Sequence, residues 1–345
     1  MTQTAVVICP GRGTYNKAEL GYLARHHSDK VAFVAMLDAY RVARRQTPVS
    51  DLDRAERFSA GLFSRGDNAS PLIYGCAYAD FLSIDRTKID VVAVTGNSMG
   101  WYIALACAGA LTEEAGMEVV NTMGTLMQES LIGGQLVYPF IDSQWNTMAG
   151  KRDALLALVA DINRRSDCRL FVSIELGGMI VFAGNDDGLK ALEAELPRNE
   201  EGFPMRLTNH AAFHTPLLEP IAQLGKKALR ESLFQQPVLP LLDGRGSVWF
   251  PDSTEISALY DYTLGNQVTQ TYDFTRAVQN AAKEFAPDVF VVLGPGNSLG
   301  GAVAQSLIAM GWDGMKSKSD FVERQSQDPV LISMGLDEQR RMATA

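Results

Sequence analysis

One stretch constrains the fold of this chain more than any other: Val91–Gly109, VVAVTGNSMGWYIALACAG. It opens on a β-branched apolar run, Val91, Val92, Val94 and Thr95, the composition of a strand buried on both faces. It closes on Trp101–Cys107, which is apolar and rich in helix formers. Between them lies Gly96-Asn97-Ser98-Met99-Gly100, a G-x-S-x-G. A strand that turns straight into a helix strains the turn residue, and glycines flank it because no Cβ fits where the backbones meet. Ser98 then stands at a helix N-terminus, where free N–H groups stabilise an oxyanion. A Gly-rich chain produces the five-residue pattern by chance. The strand before it and the helix after it favour a nucleophile turn over a tight turn with an inert serine.

With 345 residues, the chain makes one large or two ordinary domains. A hydrophobic content of 46% against 21% charged residues predicts a globular protein with a sizeable core. The net charge of −9 argues against a nucleic-acid or membrane-surface partner. No apolar stretch approaches the length of a membrane span. The N-terminus, MTQTAVVICPG, has neither a charged n-region nor a long apolar core, so it does not read as a signal peptide. Cys9, Cys76, Cys107 and Cys168 are scattered with no CxxC pair. They read as small buried hydrophobes in a reducing compartment, which makes the cytoplasm the expected location, and no metal site is expected.

Along the chain, Thr4–Cys9 reads as a strand running into the turn Pro10-Gly11-Arg12-Gly13. That turn lacks both the G-x-G-x-x-G spacing and a GK[ST] ending, so it reads as backbone passing close to something rather than as a phosphate cradle. Lys17–Arg45, Asp51–Ser64 and Pro71–Leu82 read as helical, with His26 and His27 on the surface. Thr112 caps a helix running to Gln128, with Glu113 and Glu114 in its first turn. The texture then changes. Leu136–Ile141 reads as a strand, Lys151–Arg164 as a helix, and Leu170–Leu176 with Met179–Ala183 as a hairpin across Gly177-Gly178. Asp186–Leu196 follows as a helix and Pro204–Thr208 as a strand. This β-α-β-β-α-β order predicts an inserted ferredoxin-like subdomain over residues 129–206. Residues 1–128 and 207–345 then form an α/β core with a mainly parallel sheet. Within it, Pro216–Leu233, Thr254–Leu264, Tyr272–Phe285 and Leu299–Met310 read as helices, and Val238–Leu242 and Asp288–Leu293 as strands. The tail from Gly311 to Ala345 is more polar and reads as a surface cover.

A serine is a poor nucleophile without a neighbouring base. The chain has only four histidines. His210 and His214 lie in Asn209-His210-Ala211-Ala212-Phe213-His214-Thr215-Pro216, a loop returning from the inserted subdomain to the core that holds Ser98. Loops at such returns carry catalytic groups. No histidine follows His214, so the lipase-type order, with its His near the C-terminus, fits poorly.

Taken in order, these segments resemble the malonyl-CoA:acyl-carrier-protein transacylase family of fatty-acid and polyketide synthesis. That family opens with a strand and a Phe-Pro-Gly-Gln-Gly-type turn, similar to Cys9-Pro10-Gly11-Arg12-Gly13. Its Gly-His-Ser-Leu-Gly-Glu-Tyr resembles Gly96-Asn97-Ser98-Met99-Gly100-Trp101-Tyr102, followed by an Ala-Gly break matched at Ala108-Gly109. Its base segment resembles Phe213-His214-Thr215-Pro216-Leu217-Leu218, and its late Gly-Pro-Gly turn resembles Gly294-Pro295-Gly296. The resemblance covers about Val6–Ile308 and implies a hydrolase-like core with an inserted ferredoxin-like subdomain. It also implies Ser98 as nucleophile, His214 as general base, the backbone N–H groups of Arg12 and Met99 as oxyanion hole, and a backbone carbonyl at Gln267 orienting the histidine. The implied partners are acyl-CoA as donor and the phosphopantetheine arm of an acyl carrier protein as acceptor, with no other cofactor. Basic groups for carrier docking are Arg164, Arg165 and Arg169, or Lys226, Lys227 and Arg230, although each set also reads as an ordinary solvated face.

The departures bear on the substrate. Members that take malonyl carry an Arg 25 residues after the nucleophile, where it pairs with the free carboxylate. Here that position is Met123, and Glu114–Gln128 contains neither Arg nor Lys. An unpaired buried carboxylate is costly, so a non-carboxylated acyl group is expected, with Met123 and Phe213 lining its pocket. Arg12 replaces the usual Gln, and its cation offers an alternative anchor for an acyl carboxylate. Asn97 and Trp101 replace the family's His and Glu beside the serine, and both are read as substrate-binding, Trp101 by narrowing the channel. The competing functions are an editing hydrolase acting on acyl carrier proteins, an ordinary malonyl transferase using Arg12, and a non-catalytic carrier-binding scaffold.

Overall fold

The structure, a computed structural model, describes residues 2–199 and 201–345. Its described strands are β1 (Gln3–Cys9), β2 (Ile89–Gly96), β3 (Gly134–Pro139), β4 (Leu170–Leu176), β5 (Met179–Gly184), β6 (Met205–Arg206), β7 (Leu241–Leu242), β8 (Val248–Trp249), β9 (Tyr272–Asp273), β10 (Val289–Val292) and β11 (Leu331–Ser333). They form two sheets. The first has the order β11-β10-β1-β2-β7-β8. Its neighbours are all parallel except the β7–β8 edge pair. β1 and β2 lie at its centre, and Ala5–Cys9 are completely buried, as expected of strands covered by helices on both faces. The class is α/β with a mainly parallel core sheet, as the alternation of strands and helices predicts.

The second sheet has the order β6-β3-β5-β4-β9. Strands β3 to β6, with the helices Lys151–Ile162 and Asp186–Glu195 between them, follow the β-α-β-β-α-β order expected of a ferredoxin-like subdomain. The period-two alternation of its strands decides which face meets what. Leu136, Tyr138, Ile180 and Phe182 point to a small core shared with Leu155, Ile162, Leu189 and Leu192. Val137, Ile174 and Val181 point the other way, into the main core. β9 comes from outside the inserted segment and pairs in parallel with β4, Ile174 against Tyr272. The small sheet is thereby tied to a later segment of the chain through backbone hydrogen bonds as well as packing. No described helix is long and apolar enough to cross a membrane.

Several sequence expectations are corrected. The region Lys17–Arg45 is mostly helical, as expected, but in three pieces, Lys17–Glu19, Tyr22–His26 and Val31–Val42, with Gly21 at φ 79°. Asp51–Ser64 splits into Val49–Asp53 and Ala60–Phe63. The third helix starts at Gly66, five residues before Pro71. Pro71 has no N–H to give the Asp67 carbonyl, and Arg41 Nη1 bonds that carbonyl instead at 2.6 Å. His27 is not on the surface but 2% exposed. Its Nε2 lies 2.8 Å from Asp80 Oδ1, while Arg340 Nη1 donates to the same oxygen at 2.5 Å. Arg340 belongs to the tail. That tail is no surface cover: it supplies β11 and buries Leu331, Ile332, Met334 and Ala343.

The turn after β2 depends on two glycines. A Cβ on Gly96 would lie within 3.0 Å of the Gly100 carbonyl, and one on Gly100 within 3.0 Å of the Cys9 carbonyl. Backbone cannot move aside as a side chain can. Gly100→Ala is expected to destabilise the protein by about 2–3 kcal/mol, the upper range for overpacking, read as a fall in the urea midpoint. An unchanged midpoint would show that the strand–helix contact has slack.

Candidate active site around Ser98 and His214

The strand–turn–helix places Ser98 between the end of β2 and the helix Gly100–Cys107. Ser98 has φ 55°, a left-handed conformation costing a non-glycine residue roughly 1–2 kcal/mol. The surroundings hold it there. Gly100 N–H donates to Asn97 O at 2.8 Å and Trp101 N–H to Ser98 O at 3.0 Å. Tyr272 Oη donates to Gly96 O at 2.6 Å. The Pro10–Gly13 turn presses against this corner from the end of β1. Asn97 N–H donates to Cys9 O at 3.0 Å, and a Cβ on Gly11 would sit 2.6 Å from Asn97 O. The backbone does pass close here, and the neighbour is the serine turn. Among the described residues neither Arg12 N–H nor Met99 N–H is engaged in a hydrogen bond, which leaves both free for an incoming oxygen.

His214 arrives on the loop after the small sheet. It too is left-handed, with φ 58°, and is 4% exposed. Its Nε2 accepts from Ser98 Oγ at 2.7 Å, and its Nδ1 donates to Gln267 O at 2.6 Å. The short helix Gln267–Thr269 ends before it can offer Gln267 O an i+4 partner, so that carbonyl is free for the imidazole. The Gln267 side chain reaches back to the serine: Nε2 donates to Ser98 O at 3.0 Å, and Oε1 accepts from Tyr102 Oη at 2.9 Å. One residue therefore holds both Ser98 and His214. Burial pulls the His214 imidazole down to about 4, outweighing the upward effect of the bond to Gln267. At neutral pH its Nε2 is an available base.

A cavity of about 40 Å³ opens beside the serine, lined by Arg12, Ser70, Ser98, Met99, Tyr102, Val120, Met123, Gly124, Met127, Phe213, His214, Gln267 and Val268. That is room for roughly three waters. Met123 and Phe213 line it, where the sequence places them. Val120, Gly124 and Met127 were not singled out by the sequence reading, yet they share the helical stripe of Met123 at spacings of three and four, the signal that reveals them. Ser70 and Val268 carry no local signal. Trp101 and Asn97 are corrections. Trp101 is completely buried behind the turn, its Nε1 donating to Thr263 Oγ1 at 3.0 Å, because the second residue of the helix points into the core. Asn97 faces the Pro10–Gly13 turn and not the cavity.

Arg12 is the one cation in the cavity wall among the described residues. Its Nη2 donates to Ser64 O at 2.5 Å and to Asn209 O at 2.9 Å, and its guanidinium lies 5.2 Å from the centre of the Phe213 ring. The residue keeps some exposure, yet Nε is sealed from solvent and has no partner among the described residues. Burial lowers the guanidinium to about 10 despite the nearby Asp67 carboxylate. At neutral pH it remains charged.

Solved structures superpose over nearly the whole chain. The malonyl-CoA:acyl carrier protein transacylase of Xanthomonas oryzae aligns with a TM-score of 0.75 at 18% identity, covering 100% of this chain and 98% of that one. The acyltransferase domain from the second module of the salinomycin polyketide synthase aligns at 0.73 and 17% identity, covering 99% and 72%. The fold is that of the malonyl-CoA:acyl carrier protein transacylases. In sequence, the chain is 25% identical over 310 residues to a phenolphthiocerol/phthiocerol polyketide synthase polypeptide of Mycobacterium tuberculosis. That alignment covers 86% of this chain but 18% of the synthase, so the chain spans less than a fifth of that relative's length. It is 22% identical over 241 residues to the malonyl CoA-acyl carrier protein transacylase of Bacillus subtilis, 68% of this chain and 71% of that protein. No sequence-family profile matches the chain. Among the described residues no group of three or more His, Cys, Asp or Glu side chains is placed to hold a metal ion.

The low value at His214 sets a pH profile. A base with its folded pKa below the ordinary 6.5 stays neutral until the pH falls through that lower value. The rate at which a fluorophosphonate labels Ser98 is expected to be level from about pH 5.5 to 8 and to drop roughly tenfold per unit below about 4. A midpoint near 6.5 would mean that His214 is not desolvated as described.

Proposed function

We propose that the chain is a serine acyltransferase that moves a short acyl group from acyl-CoA to the phosphopantetheine thiol of an acyl carrier protein. The observation that carries this reading is the hydrogen-bonded line Gln267 O, His214, Ser98 Oγ beside a small, largely apolar cavity. His214 Nε2 takes the Ser98 proton as Oγ attacks the thioester carbonyl. The imidazolium so formed is held by its Nδ1–H bond to Gln267 O. The oxyanion develops toward the free N–H groups of Arg12 and Met99. The tetrahedral intermediate collapses, the C–S bond breaks, and His214 returns its proton to the CoA sulfur. The carrier thiol then gives its proton to His214, attacks the acyl-serine carbonyl, and expels Ser98 Oγ, which takes that proton back from His214. CoA and the pantetheine arm are substrates in this scheme, and the proton transfers run through His214 alone. The names of the relatives, transacylases and polyketide synthases, agree with it.

For the acyl group, we favour one without a carboxylate. Met123 sits where malonyl-specific members have their Arg, 1% exposed, with its sulfur against Gly225. It offers nothing to neutralise a charge. A second reading has a specific observation behind it. Arg12, a cation among the residues that line the cavity, can hold a carboxylate, making the chain a malonyl transferase with a displaced anchor.

One experiment separates them. The protein is incubated with acetyl-, butyryl-, malonyl- and methylmalonyl-CoA, with and without holo carrier protein, and Ser98 acylation, acyl-carrier and free acid are followed by mass spectrometry. Acetyl or butyryl on Ser98, passed to the carrier, is the expected result, and Ser98→Ala abolishes it. Preferential malonyl loading that Arg12→Ala removes establishes the second reading. Free acid in place of acyl-carrier would make the chain a hydrolase, and no acylation by any donor a carrier-binding scaffold.

A further inference from the structure

His210 lies four residues before His214 on the same loop, is half-buried, and takes no part in the chemistry above. Its contacts lead elsewhere. His210 Nδ1 is 2.7 Å from Gln135 Oε1 on β3. Gln135 Nε2 is 2.7 Å from Ser173 Oγ on β4, and Ser173 Oγ is 2.7 Å from Phe213 O. Gln135 is 2% exposed and Ser173 not at all. Donor and acceptor chemistry forces one direction along this line. A carbonyl only accepts, so Ser173 donates to Phe213 O. Ser173 then accepts from the Gln135 amide N–H, which turns Oε1 toward His210, whose Nδ1 must carry the proton. Burial and the charge of Arg12 hold His210 well below its ordinary range, so it is neutral, with its single proton on Nδ1.

We infer that the chain His210–Gln135–Ser173–Phe213 is a brace through which the inserted sheet positions the loop carrying Phe213 and His214. It leaves the loop at His210, crosses two strands of the small sheet, and returns to the loop at Phe213, one peptide before His214. The loop needs such a brace because its backbone is strained at both Asn209 (φ 57°) and His214 (φ 58°). Two further bonds close the same segment: Ala212 N–H to Ile132 O at 2.7 Å and Thr215 Oγ1 to Ala212 O at 2.7 Å. The ring of Phe213 packs 5.5 Å from that of His210 and forms part of the cavity wall. The brace therefore sets both the base and one wall of the acyl pocket. Gln135 and Ser173 are positioning residues in this scheme, since neither touches the cavity. The inference rests on the proposal that Ser98 and His214 react as nucleophile and base.

The test uses the full chain and fluorophosphonate labelling of Ser98, resolved into a maximal rate and a probe affinity. Ser173→Ala and Gln135→Ala are each expected to lower the maximal rate by about tenfold to a hundredfold, the range for a small misplacement of a catalytic group. Probe affinity changes by less than about threefold, and Ser173→Thr recovers much of the rate. Since the groups act as one line, the double variant Ser173→Ala/Gln135→Ala is expected to lose no more than the worse single one. Wild-type rates in both single variants would overturn the inference, as would fully additive losses. So would a loss confined to affinity, or one matched by a fall in the fraction of folded protein measured by circular dichroism. Failure of the wild-type protein to label at all would instead strike the nucleophile reading, and the two failures are distinguishable.

Discussion

The structure depends on a close approach of backbones. Where β2 turns into the helix Gly100–Cys107, the carbonyls of Cys9 and Gly100 occupy space that a Cβ at Gly100 or Gly96 would need. That approach brings the ends of β1 and β2, already paired from Gln3 to Cys9, against the first turn of the helix. Ser98 is thereby held left-handed with its hydroxyl clear of the sheet and its neighbouring N–H groups unspent. The strain is small beside the burial of the strands and helix around it, and at this turn it falls on the residue that reacts in the proposed mechanism.

The other half of the site is held differently. His214 sits on a loop with little regular structure of its own, and long-range hydrogen bonds fix it. Gln267 contributes its carbonyl to the imidazole and its amide to the serine backbone. Tyr272 touches both halves, its hydroxyl on Gly96 O and its ring 5.3 Å from that of His214. β9, which contains Tyr272, also pairs with the small sheet. The inserted subdomain is thus continuous with the site. Its outward face builds a separate small core, while its inward face packs on the main one and carries Ser173 and Gln135.

The cavity combines apolar walls with one desolvated cation. Met123, Met127, Val120 and Val268 favour hydrocarbon, whereas Arg12 is held by two carbonyls and a ring with Nε left over. Two carbonyl bonds hold the guanidinium in place but do not neutralise it. Arg12 also joins the β1 turn to Ser64 and Asn209, so it closes the cavity whatever the cavity holds.

Much of this was legible in the chain itself. The β-branched run ending in G-x-S-x-G determined a buried strand turning into a helix, because glycine placement and period are local properties. The β-α-β-β-α-β order pointed to strands β3 to β6 for the same reason, though not to β9, and the scarcity of histidines narrowed the base to one loop. Thr112 was a readable cap, and it does accept from Ala115 N–H at 3.2 Å. What the sequence could not decide turned on partners far away along it. His27 and Arg340 look like surface residues until Asp80 stands between them, 53 and 260 positions distant. The polar tail looks dispensable until β11 finds β10. Trp101 looks like a channel residue until the helix is rotated to face Thr263. A buried charge or a turned side chain is decided by what the fold brings opposite it, and only the tertiary structure supplies that neighbour.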